Sequence, residues 1–228
     1  IDHGWRCAEL PVPGQTLSGE YGTGPGGKGF NQATAAARAG AATTFVCALG
    51  EDVGAQWARA LAAADGIHLH EQCSALPTGT AGIYVDHAGR NSIVIGAGAN
   101  AALSPAFIES QRTQIEASAV VLAQLESPID AVAAALRIAR ARGVLTLLNP
   151  APANVVVPPE LWADVDVATP NETEFCAHLL HDCGEVDDAL ECYLRAIRSD
   201  PGLFEPLVEL GAVVEAGQPV ARIHFPET

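Results

Sequence analysis

Short apolar segments alternating with helices of about a dozen residues constrain this chain more than any other feature. Residues 43–49, 120–125, 145–148 and 165–169 read as buried strands. Helical periodicity covers residues 53–64, where Trp57 and Leu61 share a face, and also 105–116 and 129–142, with a further helix beginning near Asn171. Such a chain builds βαβ units, and so a mainly parallel sheet covered by helices on both faces. Residues 80–86 and 91–95 interrupt the rhythm as two strands joined at His87-Ala88-Gly89-Arg90, an excursion that reads as a lid. The first segment reads as loop, with Pro11, Pro13 and Gly14 close together. A polar strand over 15–21 then leads into a glycine-rich loop over 22–29, and a helix over 28–39 stops at Gly40.

Composition narrows the function classes. With 49% apolar and only 17% charged residues, the chain has the material for a packed core. Its net charge of -15 repels phosphate backbones, which argues against a nucleic-acid partner. No apolar run reaches the roughly 18 residues of a membrane-spanning helix, and the N-terminus lacks the basic-then-apolar pattern of a signal peptide. Cys7, Cys47, Cys73, Cys176, Cys183 and Cys192 follow no framework spacing and read as reduced thiols, so a cytoplasmic location is expected. The chain starts at Ile1 and contains no Met, so further residues are expected in front of it. Cys176, His178, His181 and Cys183 lie close together but match no standard zinc spacing.

The stretch Gly24-Pro25-Gly26-Gly27-Lys28-Gly29-Phe30-Asn31 carries the most chemical information. Glycines let backbone N–H groups approach a ligand, and the helix that follows presents its positive end. As a P-loop the segment has Gly22 and Gly27-Lys28 correctly spaced, but Gly29 stands where the magnesium-binding Ser or Thr belongs. As a dinucleotide fingerprint it has Gly22, Gly24 and Gly27, yet a polar segment precedes them and Pro25 sits within the turn. A purely structural glycine-rich turn is a third reading.

A fourth comes from resemblance. Gly26-Gly27-Lys28-Gly29-Phe30-Asn31-Gln32-Ala33, followed by Gly40 and Gly50, resembles the N-terminal signature of the ribokinase-like (PfkB) sugar kinases. Leu10-Pro11-Val12-Pro13-Gly14-Gln15-Thr16, Pro77-Thr78-Gly79-Thr80, Arg90-Asn91-Ser92-Ile93-Val94-Ile95, Gln124-Leu125-Glu126, Asn149-Pro150-Ala151-Pro152-Ala153 and Pro170-Asn171-Glu172-Thr173-Glu174 match further family segments in order. The resemblance implies an α/β chain: a truncated three-layer αβα, Rossmann-like sheet over residues 1–180, with small β-lid strands near 10–23 and 78–96. It implies that Asp2, Gly27, Lys28, Gly29, Asn31 and Glu126 bind sugar, that Asn171 serves the nucleotide and that Glu174 serves magnesium. ATP would be the co-substrate, ribose the sugar, and the lid a homodimer contact. Two local alternatives stay open: on spacing alone Glu126 equally fits a cap for the helix near Pro128, and Asn171 with Glu174 is nearly a capping box.

The resemblance stops near residue 178. The family's Gly-Ala-Gly-Asp turn, whose Asp takes the proton from the attacking hydroxyl, has no copy here. Gly96-Ala97-Gly98-Ala99 has the glycines, but an alanine where the base must be. No catalytic residue is therefore assigned, and the family's adenine strands and potassium loop are expected to be absent. Residues 184–201 resemble the second helix of a tetratricopeptide repeat, with a plain amphipathic helix as the simpler reading. Residues 202–227 resemble the C-terminal strands of the succinylglutamate desuccinylase/aspartoacylase proteins. Residues 181–228 are thus read as an appended helix and strands, and a non-catalytic interaction remnant of a fused or frameshifted gene is the alternative function.

Overall fold

A computed structural model describes residues 1–171, Glu174 and Val214–Glu215. The chain divides into two compact units, with the division between Leu103 and Ser104.

The first unit opens with β1 (Asp2–Cys7) and β2 (Gly19–Gly24), which pair antiparallel. The limits differ from those expected. The loop-like opening is a strand at 2–7, and the strand expected over 15–21, within the lid range 10–23, lies at 19–24. Pro11, Pro13 and Gly14, at φ 83°, do break the chain, but they make the turn between two strands rather than a loop from residue 1. Helix α1 (Lys28–Arg38) starts after Gly27 at φ 91° and is closed by Gly40 at φ 95°, conformations that favour glycine. Strand β3 (Thr44–Leu49), helix α2 (Val53–Ala64) and strand β4 (His68–Cys73) follow, with β3 and β4 parallel. Phe30, Ala33 and Ala37 of α1 and Ala62 of α2 pack with Phe45, Ile67 and Leu69 into a small core.

The expected hairpin is β5 (Thr80–Val85) and β6 (Asn91–Gly96). It joins the N-terminal strands in one four-stranded sheet of order β2-β1-β5-β6. Gly96-Ala97-Gly98-Ala99, the sequence decoy for a catalytic turn, leads into a 3-10 turn at Gly98–Ala102. A Cβ on Gly98 would lie 2.2 Å from the Pro77 carbonyl oxygen, so these glycines serve close packing at the foot of the hairpin.

The second unit contains α3 (Pro105–Ser110) and α4 (Arg112–Ala117), one expected helix broken at Gln111. Next come β7 (Val120–Gln124), α5 (Ile129–Ala141), β8 (Leu145–Asn149), α6 (Pro159–Trp162) and β9 (Val167–Ala168). Strands β7, β8 and β9 are parallel neighbours, and β10 (Val214–Glu215) lies antiparallel on β9. Leu125, Val132, Leu136, Leu148, Val157, Leu161 and Val165 make this unit's core, with Leu136 and Leu148 completely covered. Each such side chain stabilises the fold by about 1.5–3 kcal/mol. The boundary expected near residue 180, the helix expected over 184–201 and, β10 apart, the strands expected over 202–227 lie outside the described residues. No helix among the described residues is long and apolar enough to cross a membrane.

Candidate functional site

In the first unit the structure brings Asp2 to the glycine loop. Asp2 pairs with Gly24 across β1 and β2, and Thr23 Oγ1 donates to the Asp2 carbonyl at 2.9 Å. An added Cβ on Gly26 would lie 2.1 Å from Asp2 Cγ and from both carboxylate oxygens. Only glycine leaves room for this carboxylate, which gives Gly26 a physical reason. The next residue, Gly27, is the N-cap of α1, and its carbonyl accepts from Asn31 N at 3.0 Å. Lys28 and Gly29 are half-buried at the start of the helix, while Asn31 is exposed. A carboxylate beside the N-terminal end of a helix and an exposed amide offers acceptors and donors together, the set that hydroxyls need.

The sheet adds what sequence reading missed. Cross-strand partners share a face, so Gly24, Asp2, Ala81 and Ile95 form one row, and Gly22, Gly4, Ile83 and Ile93 the next. Added Cβ atoms on Gly22 and Gly24 would meet nothing, so Asp2 faces a shallow glycine bay rimmed by aliphatic side chains. The apolar residues of β5 and the run Ile93-Val94-Ile95 of β6 were the available signal; the register with β1 was not readable. The opposite face carries Trp5, stacked on Tyr84 and tilted against Tyr21, each with ring centroids 5.2 Å away.

A second hub anchors the hairpin's foot. Asp52 Oδ1 caps α2 by accepting from Ala55 N at 2.8 Å, and it also accepts from Thr78 Oγ1 at 2.7 Å. Asp52 Oδ2 accepts from Thr78 N at 2.7 Å. The Thr78 hydroxyl and backbone donors, with the Ala55 N–H, hold the Asp52 carboxyl below the usual carboxylate range. Gly50 is required nearby, since a Cβ there would lie 2.7 Å from Thr78 N and from the Leu76 carbonyl. No motif singled out Asp52; its contacts span 26 residues.

In the second unit the remaining expected residues sit at the carboxyl ends of the parallel strands, where open α/β sheets bind ligands. Glu126 follows β7, where its N–H bonds to Gln124 Oε1 and Leu125 N donates to the Ala151 carbonyl at 2.8 Å. Helix α5 begins after Pro128 without a side-chain cap bond from that residue. Asn149, ending β8, donates to the Thr169 carbonyl at 2.8 Å and reaches Glu174 Oε2 at 3.4 Å. Asn171 and Glu174 form the reciprocal box in full. Glu174 N donates to Asn171 Oδ1 at 2.9 Å, Asn171 N to Glu174 Oε2 at 2.8 Å, and Asn171 Nδ2 to Glu174 Oε1 at 3.0 Å. Glu174 is buried; Oε2 accepts from both Asn171 N and Asn149 Nδ2, whereas Oε1 accepts from Asn171 Nδ2 alone in these bonds. Among the described residues no three His, Cys, Asp or Glu side chains gather as a metal site. The expected cluster at residues 176–183 lies outside the described residues.

Comparison with known proteins gives this geometry a family. The model of the pfkB family carbohydrate kinases matches residues 6–199. Ribokinase of Haemophilus influenzae is 38% identical over 215 residues, spanning 92% of this chain and 69% of that protein. Ribokinase of Staphylococcus aureus is 41% identical over 179 residues, 76% of this chain and 58% of that protein. The structure of Arabidopsis thaliana ribokinase complexed with ribose and ATP matches with a TM-score of 0.69 at 30% identity, covering 77% of this chain and 58% of that one. This chain thus spans 58% of two of these relatives and 69% of the third. On a family match over most of its length, the chain belongs to the pfkB family of carbohydrate kinases and has their mixed α/β, ribokinase-like fold.

Proposed function

We propose that residues 1–180 are the sugar-binding portion of a ribokinase-like kinase, with D-ribose as the sugar. The observation that carries this is the Asp2 carboxylate lodged against Gly26 at the head of α1, facing the glycine bay. A carboxylate accepts from two neighbouring hydroxyls, while Ala81, Ile83, Ile93 and Ile95 suit the C–H face of a sugar. Asn31, Gly27, Lys28 and Gly29 supply further polar contacts from α1; for Glu126 a sugar-binding role rests on the family resemblance alone. In the complete reaction the γ-phosphoryl of ATP passes to the 5-hydroxyl of ribose, which needs an oriented hydroxyl, a base and neutralised phosphate charge.

Magnesium would supply that neutralisation when bound. The buried Glu174, whose Oε1 accepts from Asn171 Nδ2 alone in the bonds above, fits the role of accepting from the ion's bound water, and Asn171 positions it. No Gly-Ala-Gly-Asp turn occurs in the 228 residues, so this chain offers no base in the family position and is read as binding sugar with little or no transfer. The potassium site is read as missing with it. A cytoplasmic, soluble role fits this reading, and pairing of two lids in a homodimer fits the exposed Ile93, Val94 and Ile95 of β6.

A thermal-shift titration with D-ribose, beside a coupled ADP-release assay with ATP and magnesium, tests the reading. A ribose-dependent rise in Tm without ADP release is expected. ADP release above background contradicts the inactive reading, and a Tm indifferent to ribose and other pentoses contradicts the sugar site. Size exclusion with and without ribose separates binding from the alternative, a non-catalytic interaction module: a dimer that ignores sugar favours the latter.

A further inference from the structure

Burial does not explain what holds strand β6 in place. All six of its residues are exposed, and β5 is its sole neighbour among the described residues. Where neither face of a strand is buried, the apolar pattern specifies register weakly, and a slip of one residue moves every side chain to the opposite face. Ile93 and Ile95 nevertheless share the Asp2 face, as the bay requires.

The turn that precedes β6 is built to fix it. The Asp86 side chain is wholly covered. Its Oδ1 accepts from Ala88 N and Arg90 N, both at 2.9 Å, and its Oδ2 accepts from Arg90 Nε at 2.7 Å and Nη2 at 2.6 Å. The main chain closes the same loop. Asp86 N donates to the Arg90 carbonyl at 3.0 Å, Gly89 N donates to the Asp86 carbonyl at 3.0 Å, and Gly89 takes φ 79°. Next to it, the His87 ring bonds through Nδ1 to the Ala8 carbonyl, tying the turn to the segment that leaves β1. An exposed ion pair alone contributes little. Here one covered carboxylate gathers two backbone N–H groups and the exposed Arg90 guanidinium, and its loss removes all four bonds that define the turn.

We propose that Asp86 is a positioning residue for the sugar: by fixing the turn at 86–90 it sets the register of β6 and holds Ile93 and Ile95 on the face that carries Asp2. Asp86 acts through the strand and does not touch the ligand. Its consequence for binding rests on the sugar-site reading above; its cause rests on the hairpin alone.

Asp86→Ala and Asp86→Asn in the full 228-residue chain separate the two. Amide hydrogen exchange over residues 85–96 is followed without sugar, and D-ribose affinity is measured by calorimetry. In Asp86→Ala the protected amides are expected to exchange about tenfold faster or more, and affinity to fall by about tenfold or more. Asp86→Asn, which keeps an acceptor for the two backbone N–H groups, should hold affinity within about threefold of the parent. Unchanged exchange in Asp86→Ala overturns the proposal, as does lost protection with affinity intact. A parent chain that binds no pentose defeats the sugar reading instead, and exchange alone then decides whether Asp86 sets the hairpin. If the alanine variant does not fold, Asp86→Glu replaces it, overreaching the turn while keeping the charge, with the same outcomes on either side.

Discussion

The lid sheet β2-β1-β5-β6 and the parallel sheet β7-β8-β9 are held by different forces. In the second unit Leu136 and Leu148 are completely covered and Val165 is 2% exposed, so apolar burial carries the structure. In the lid no strand residue reaches that state; β2 and β6 are exposed almost throughout. Its order comes from side chains that bond to backbone, Asp52 at its foot and Asp86 at its tip, and from glycines where chains pass closely. The difference suits the roles. On the sugar-site reading proposed above, a surface that admits a ligand belongs at the low-stability end of a molecule, and a sheet that holds Glu126 and Glu174 at the rigid end.

Leu136→Ala should break the parallel-sheet side most strongly. It leaves a cavity beneath β7 and β8 and is expected to cost about 2–5 kcal/mol in urea unfolding. Asp52→Ala should cost less, about 1–3 kcal/mol, since it removes the cap of α2 and strands Thr78. Amide exchange should place that loss in α2 and the foot of the hairpin, with the Leu136 core unaffected. If exchange instead rises evenly across both units, the division of labour is wrong.

Acid should sharpen the contrast further. The Thr78 hydroxyl, with backbone N–H donors, holds the Asp52 carboxyl low; burial pushes the Asp86 and Asp166 carboxyls up, but bonds from Arg90 and from Thr146 with Arg140 outweigh it. Groups depressed on folding contribute stability above their unfolded value of about 4, and that contribution is lost as pH falls through the lower folded values. Tm is therefore expected to drop by more than about 5 °C between about pH 7 and about pH 2.5, the lid amides exchanging first. At the small end, Val94→Ser on the exposed outer strand should change stability by no more than about 0.5 kcal/mol by the same urea assay.

The same contrast explains what could be read from the sequence. Helix α2 matched its expected limits because Asp52 caps it and an apolar face marks its length. Strand β4 went unread because His68, His70 and Gln72 occupy one face and Glu71 the other, leaving no apolar alternation to see. Strand β1 was hidden by the prolines that follow it, and β2, expected over 15–21, was cut short at its glycines and lies at Gly19–Gly24. Within the site, the glycine loop and the Asn171–Glu174 box were legible because their partners lie within a few residues. The resemblance assigned Asp2 and the glycine loop to one sugar site, but the closeness of Asp2 to Gly26 was not anticipated. The hub at Asp52 and Thr78 and the aliphatic rim opposite Asp2 depend on strand register, which a linear pattern does not state.

The most direct test of the sugar site is calorimetric titration of D-ribose into the parent chain and into Asp2→Asn. A carboxylate lodged against Gly26 and gripping hydroxyls predicts measurable binding by the parent, an affinity lower by about tenfold or more in the variant, and little change in Tm. Equal affinity in the two proteins would contradict a sugar site built on Asp2.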